Sequence, residues 1–118
     1  MRVLVLALML LAAGGVQAQD AAGPYYRGQQ LHRHCVSEDT NAQGICYGYI
    51  VAVADTAIAG LVIEDKHTCI PEDASTSRLR NTVKAYLESH PEGRGRTGIA
   101  LVAAAHAQAF PCGDISAG

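Results

Sequence analysis

The cysteines and histidines are where chemistry would have to begin in this chain of 118 residues. Cys35, Cys46, Cys69 and Cys112 are even in number and contain no Cys-x-x-Cys pair. Their long, irregular separations point to two disulfides rather than a zinc site. Four cysteines allow three pairings. The favoured one joins Cys35 to Cys46, tying two neighbouring helices, and Cys69 to Cys112, tying the middle of the chain to its end. Closing loops of those lengths contributes at most ~3 and ~4 kcal/mol. An even count leaves no odd thiol to act as a nucleophile. His32 and His34 are two residues apart, and on a helix such side chains point away from each other, so they cannot share a metal unaided. His67 and His106 are isolated, without the matched carboxylate that acid–base work requires. No nucleophile motif, phosphate loop or paired carboxylate is present. The expectation is a protein that is not an enzyme and needs no metal or cofactor.

The first eighteen residues explain why disulfides are reasonable. Met1-Arg2 is a short positive start, Val3 to Ala13 is apolar, and Val16-Gln17-Ala18 places small residues at a cleavage site. Residues 1–18 are therefore read as a signal peptide, and the mature protein is expected in the periplasm, where disulfides persist. The apolar run is too short to span a bilayer, and Asp55 interrupts the only other long one. The chain carries 9 Lys+Arg and 11 Asp+Glu; without Arg2 the balance is 8 against 11, or −3. Such a surface has no footprint for nucleic acid or an anionic membrane.

Around 100 residues make one small domain. Residues 19–27 are polar and aperiodic and read as a flexible arm. A short helix is predicted over Gly28–Cys35, with Leu31 and Cys35 on one face. Val36–Ala42 is turn material. From Gln43 apolar residues recur at helical steps: Cys46, Ile50, Val53 or Ala54, Ala57 and Leu61. Val62–Asp73 is a connection bent by Cys69-Ile70-Pro71. Ser75 is a plausible N-cap for a third helix carrying Leu79, Val83, Tyr86 and Leu87 on one face. That helix ends at His90, because Pro91 follows. Thr97 caps a last helix to about Ala109, stopped by Phe110-Pro111-Cys112. No strand alternation is visible. The predicted fold is all-α: a small disulfide-stapled bundle of three main helices plus one short N-terminal helix, over residues 28–113, with 114–118 as a tail. With five Tyr, one Phe and no Trp, the helices must pack closely through alanines.

Four strings come in order: Cys46-Tyr47-Gly48-Tyr49-Ile50 with Val53 and Asp55, then Cys69-Ile70-Pro71, then Val83-x-x-Tyr86-Leu87-x-x-His90-Pro91-Glu92, then Ala109-Phe110-Pro111-Cys112. Together they resemble the Rap/Tai family of type VI secretion immunity proteins, periplasmic antidotes to peptidoglycan-cleaving amidase toxins. The resemblance covers roughly Gly28 to Gly113. It departs from the family pattern at Gly93-Arg94-Gly95-Arg96 and at His106. It implies a helical periplasmic domain, often self-associating as a homodimer, that inhibits a secreted peptidoglycan amidase by occluding its active-site cleft.

An inhibitor of that kind needs a protruding, partly rigid element, because an ordered loop loses less entropy on docking. Two connections qualify: Glu64–Glu72, stiffened by Cys69 and Pro71, and Pro91–Thr97. Their candidate contact residues are Glu64, Asp65, His67, Glu92, Arg94 and Arg96, and arginine is enriched in binding hot spots. The bland alternative is a pair of solvated loops whose charges only confer solubility. Gly48-Tyr49 reads as close helix packing, and Asp55 as a local cap or pair. Two other functions stay open: a periplasmic acid-stress holdase chaperone, since five histidines would carry the mature charge from −3 toward +2 in acid, or a protein of the family fold without a toxin partner.

Overall fold

A computed structural model describes residues 25–113; the leader, residues 19–24 of the arm and the tail 114–118 lie outside the described residues. Four helices form the domain: α1 (Gly28–Val36), α2 (Thr40–Ile58), α3 (Thr76–Ser89) and α4 (Gly98–Ala109), with a 3-10 turn at Pro91–Gly93. The fold is all-α, three main helices and one short one, and every pair of helices is in contact.

Side-chain caps decide where three of the helices begin. Ser75 Oγ accepts the Arg78 N–H of α3 at 3.1 Å, and Thr97 Oγ1 accepts the Ala100 N–H of α4 at 3.2 Å. The start of α2 differs from the sequence expectation. It lies three residues before Gln43, because Asp39 Oδ2 accepts the Ala42 N–H at 2.9 Å and turns Thr40–Ala42 into helix. The end of α3 is closed by His90, which stacks on Tyr86 with ring centroids 4.1 Å apart and donates from Nδ1 to the Tyr86 carbonyl at 2.8 Å.

α4 is the central helix. Seven of its twelve residues are buried, Gly98, Ala100, Leu101, Val102, Ala103, Ala105 and His106, as expected of a helix apolar all round. Leu31 of α1, Ile50 of α2 and Val83 and Leu87 of α3 close on it, each fully buried. Burying a side chain of that size stabilises by ~1.5–3 kcal/mol. Ala54, Ala100, Ala103 and Ala105 let the helices approach, whereas Ala52, Ala59 and Ala109 face solvent. Gly48 is not a close-packing position: a Cβ there would have nothing within 4 Å among the described residues. Among the described residues the Asp55 side chain neither caps nor pairs; it stands exposed on α2.

Two disulfides staple the helices. Cys35 at the end of α1 is bonded to Cys46 in α2, and Cys69 in the α2–α3 connection is bonded to Cys112 after α4. Beside the second bridge, the Cys69 N–H donates to the Phe110 carbonyl at 2.9 Å. The long connection is thereby fixed at its midpoint to the end of the central helix.

Candidate functional site

The α2–α3 connection begins with a hard stop. Gly60 adopts φ 88°, its N–H donates to the Ala57 carbonyl at 3.0 Å, and the Leu61 N–H donates to the Thr56 carbonyl at 2.9 Å. This pair of bonds is the Schellman ending, which favours glycine because the left-handed conformation costs it nothing. The helix therefore stops at Ile58, and Leu61 is not the core residue its spacing predicts. It lies 62% exposed, beside Ile58 at 69% and Val62 at 49%.

Immediately after this apolar cluster the chain reverses. The Lys66 N–H donates to the Ile63 carbonyl at 2.9 Å, and Ile63 and Lys66 form an antiparallel bridge. Glu64 and Asp65, at the tip, both have positive φ, 49° and 60°. Two positive φ values define a type I′ turn, which glycine, asparagine and aspartate normally occupy, with glycine favoured at the second position. Glu64 and Asp65 are held there at a cost of order 1–3 kcal/mol each. Ile63 packs against the core, so the turn stands on an anchored base.

The second connection, 91–97, is bound along its length to the start of α1. The Gln29 N–H donates to the Arg94 carbonyl at 2.8 Å and the Gly28 N–H to the Arg96 carbonyl at 2.9 Å. Arg27 Nη1 donates to the Gly95 carbonyl at 2.7 Å. Close approach requires Gly28: a Cβ there would lie 2.9 Å from the Arg94 carbonyl oxygen and 2.2 Å from Leu101 Cδ1. Arg94 turns inward, its Nε donating to the Leu87 carbonyl at the end of α3 at 2.8 Å. Arg96 turns outward and donates from Nη2 to Glu64 Oε2 at 2.6 Å, with both side chains half-exposed.

The last residues of the expected arm are docked. Tyr26 accepts the Gly98 N–H on its carbonyl at 2.9 Å, packs on Tyr49 with centroids 4.6 Å apart, and donates from its hydroxyl to His34 Nδ1. Burial, with Tyr49 second, pushes the Tyr26 phenol up to about 12 against the opposing pull of Arg33. Burial also raises Tyr49, against a backbone hydrogen bond at Ile99. This aromatic pad lies under the start of α4, next to the braced loop.

The structure thus unites some of the candidate residues and separates others. Glu64 and Arg96 are paired, and Asp65 stands beside Glu64 at the turn. Glu92 is exposed on the 3-10 turn, and Arg94 is committed to closing α3. His67 is exposed near Gly60, Leu61, Val62 and Cys112. The apolar cluster of Ile58, Leu61 and Val62 was missed from sequence, although Gly60 was the signal for it. Gln29, His32 and Arg33 of α1, none of them among the candidate contact residues, line an open cleft with Pro91 and Arg94.

His106 is buried and 1% exposed, and its Nε2 has no hydrogen-bond partner. Burial lowers its pKa, and a hydrogen bond to the Leu79 backbone opposes that shift. Burial thus favours the neutral imidazole, and Nε2 is left unpartnered among the described residues. It borders a small cavity of about 10 Å³, also lined by Ile63, Lys66 and Thr68. Among the described residues no group of three or more His, Cys, Asp or Glu side chains could hold a metal ion. No helix of the described residues is long and apolar enough to cross a membrane.

The helical frame thus presents two braced, charged loops beside exposed apolar side chains. The chain belongs to the family of Rap1a immunity proteins, whose family model matches residues 27–112. It is an immunity-family protein, not an enzyme. Comparison with curated proteins and with solved structures gives no match.

Proposed function

We propose that this is a periplasmic immunity protein that binds a type VI secreted peptidoglycan amidase and inhibits it by occluding the active-site cleft. Membership of the immunity family is the observation that carries the class. The Glu64–Arg96 pair is the observation that supports the contact surface, because it joins the two connections into one continuous element. The element combines a type I′ turn with Glu64 and Asp65 at its tip, an apolar flank of Ile58, Leu61 and Val62, and the braced arginine loop. Apolar anchors exposed beside ordered charges are what a protein-binding site requires. Inhibition follows from filling a cleft, so the inhibitor is not turned over. The leader at residues 1–18 supports delivery to the compartment where peptidoglycan is cleaved.

The test is a peptidoglycan hydrolysis assay with the peptidoglycan amidases encoded in the same genome. The mature chain is expected to abolish cleavage at near-equimolar ratio, and cell fractionation is expected to place it in the periplasm. Binding to no amidase of the same genome would defeat the proposal. A second function, acid-activated holdase, has His106 in its favour, since a buried neutral histidine loosens the fold when it is protonated. Prevention of client aggregation at low pH, without amidase binding, would select that function instead.

A further inference from the structure

The cleft between α1 and the 91–94 turn borders the surface described above, sharing the braced loop with it and adding α1. It is open, about 380 Å³ in volume, and lined by Gln29, His32, Arg33, Pro91 and Arg94. Its polar groups come from two elements that are locked together by the Gln29 N–H to Arg94 carbonyl bond at 2.8 Å. Arg94 is fixed at both ends, its backbone by α1 and its Nε by the Leu87 carbonyl at 2.8 Å. Its two terminal nitrogens are left without an intramolecular bond among the described residues. The one salt bridge there is Arg96–Glu64, so neither Arg33 nor Arg94 has an ionic partner.

We infer that this cleft receives a carboxylate side chain, Asp or Glu, from an exposed acidic segment of the protein partner. A guanidinium held in place offers a planar pair of donors that matches a carboxylate, and little entropy is lost on engaging it. Arg33 adds a second charge from the facing helix, while the Gln29 amide and the His32 ring supply further polar contacts. The local field agrees. Burial, and next the charge of Arg94, lower the His32 pKa; Lys84 adds to them, and Glu88 is the only acidic group acting in the opposite direction. An anion entering the cleft would reverse that balance. A phosphate monoester fits less well, because its charge of about −1.5 to −2 is repelled more strongly than a single carboxylate by the nearby Glu88 and the net negative chain. The inference rests on the immunity function for the nature of its partner, and extends the contact from the Glu64 turn across Arg96 and Arg94 to α1.

The test has two arms on the mature full-length protein. In the first, a blocked peptide rich in glutamate is titrated while the His32 imidazole is followed by NMR. The expected result is saturable shifts at His32, Arg33 and Arg94 with a raised His32 pKa, absent in Arg33→Glu. Arg33 is exposed and makes no hydrogen bond among the described residues, so that variant should melt like wild type. Absence of shifts at these residues, or equal shifts with inorganic phosphate alone, would overturn the inference. In the second arm, Arg33→Glu is expected to weaken amidase binding by about tenfold or more. Unchanged binding by Arg33→Glu, with wild type still inhibiting, would overturn the cleft and leave the immunity function standing. Peptide binding at the cleft in a protein that binds no amidase would do the opposite.

Discussion

Arg96 Nη2 lies 2.6 Å from Glu64 Oε2, across 32 residues of sequence. This contact makes one surface of two connections that otherwise leave the bundle separately. Both side chains are half-exposed, so the pair itself contributes little to stability, within about 1 kcal/mol. Its consequence is positional: it holds the tip of a type I′ turn against a loop that is itself hydrogen-bonded to α1.

The turn should be removable as a source of strain. Replacing Glu64 by Asn and Asp65 by Gly relieves two positive φ values and should raise stability by about 1 kcal/mol in denaturant melts. The same double change should weaken partner binding, because it removes both tip carboxylates. Stabilisation with full binding would place the contact elsewhere.

Acid should loosen the protein through His106. Its folded pKa is lowered by burial, so the unfolded chain takes up the proton first. Stability is therefore fully present above about pH 6.5 and is lost as pH falls below that value. His32 is shifted in the same direction and adds to the effect. A series of melts from pH 7.5 to 5 should show a falling melting temperature in wild type and a flatter profile in His106→Leu. Equal slopes in both would assign the acid sensitivity to other groups.

Core packing gives two further expectations. Leu87 is fully buried, and Leu87→Ala should destabilise by about 2–5 kcal/mol. Gly28→Ala should also destabilise, by about 1–3 kcal/mol, because the added methyl meets the Arg94 carbonyl and Leu101. A change within about 0.5 kcal/mol for either would contradict the packing described.

Much of this frame was legible beforehand, and the misses have specific causes. Ser75, Thr97 and Pro91 are local signals, acting within a few residues, and they place α3 and α4 to within a residue. Leu61 was misplaced because its helical spacing outweighed the stop at Gly60. The turn at Glu64-Asp65 left no trace, since its tip carries neither the Asn-Gly nor the Asp-Gly pair that marks a type I′ turn. Of the six candidate contact residues, Arg94 reads from sequence as a free charge, yet its Nε is bonded to Leu87. Which charges meet across 32 residues is a property of the assembled fold, and so is the α1 cleft.

The disulfides can be checked by peptide mass spectrometry of the protein purified without reductant. No free thiol is expected, with Cys35 linked to Cys46 and Cys69 linked to Cys112. Replacing Cys69 and Cys112 by Ala should cost up to ~4 kcal/mol and release the connection that carries the turn. A link between Cys35 and Cys69 would be incompatible with the fold described.

The most direct measurement is calorimetric titration of a peptidoglycan amidase from the same genome with wild type and with two charge reversals, Glu64→Lys with Asp65→Lys, and Arg96→Glu. Wild type should bind at a stoichiometry of one inhibitor chain per amidase and block peptidoglycan hydrolysis at the same ratio. Both reversals should keep the wild-type melting temperature and lose affinity in a salt-dependent way. Wild-type affinity in both variants would contradict the proposed surface, and no heat of binding from the wild-type protein would contradict the immunity function itself.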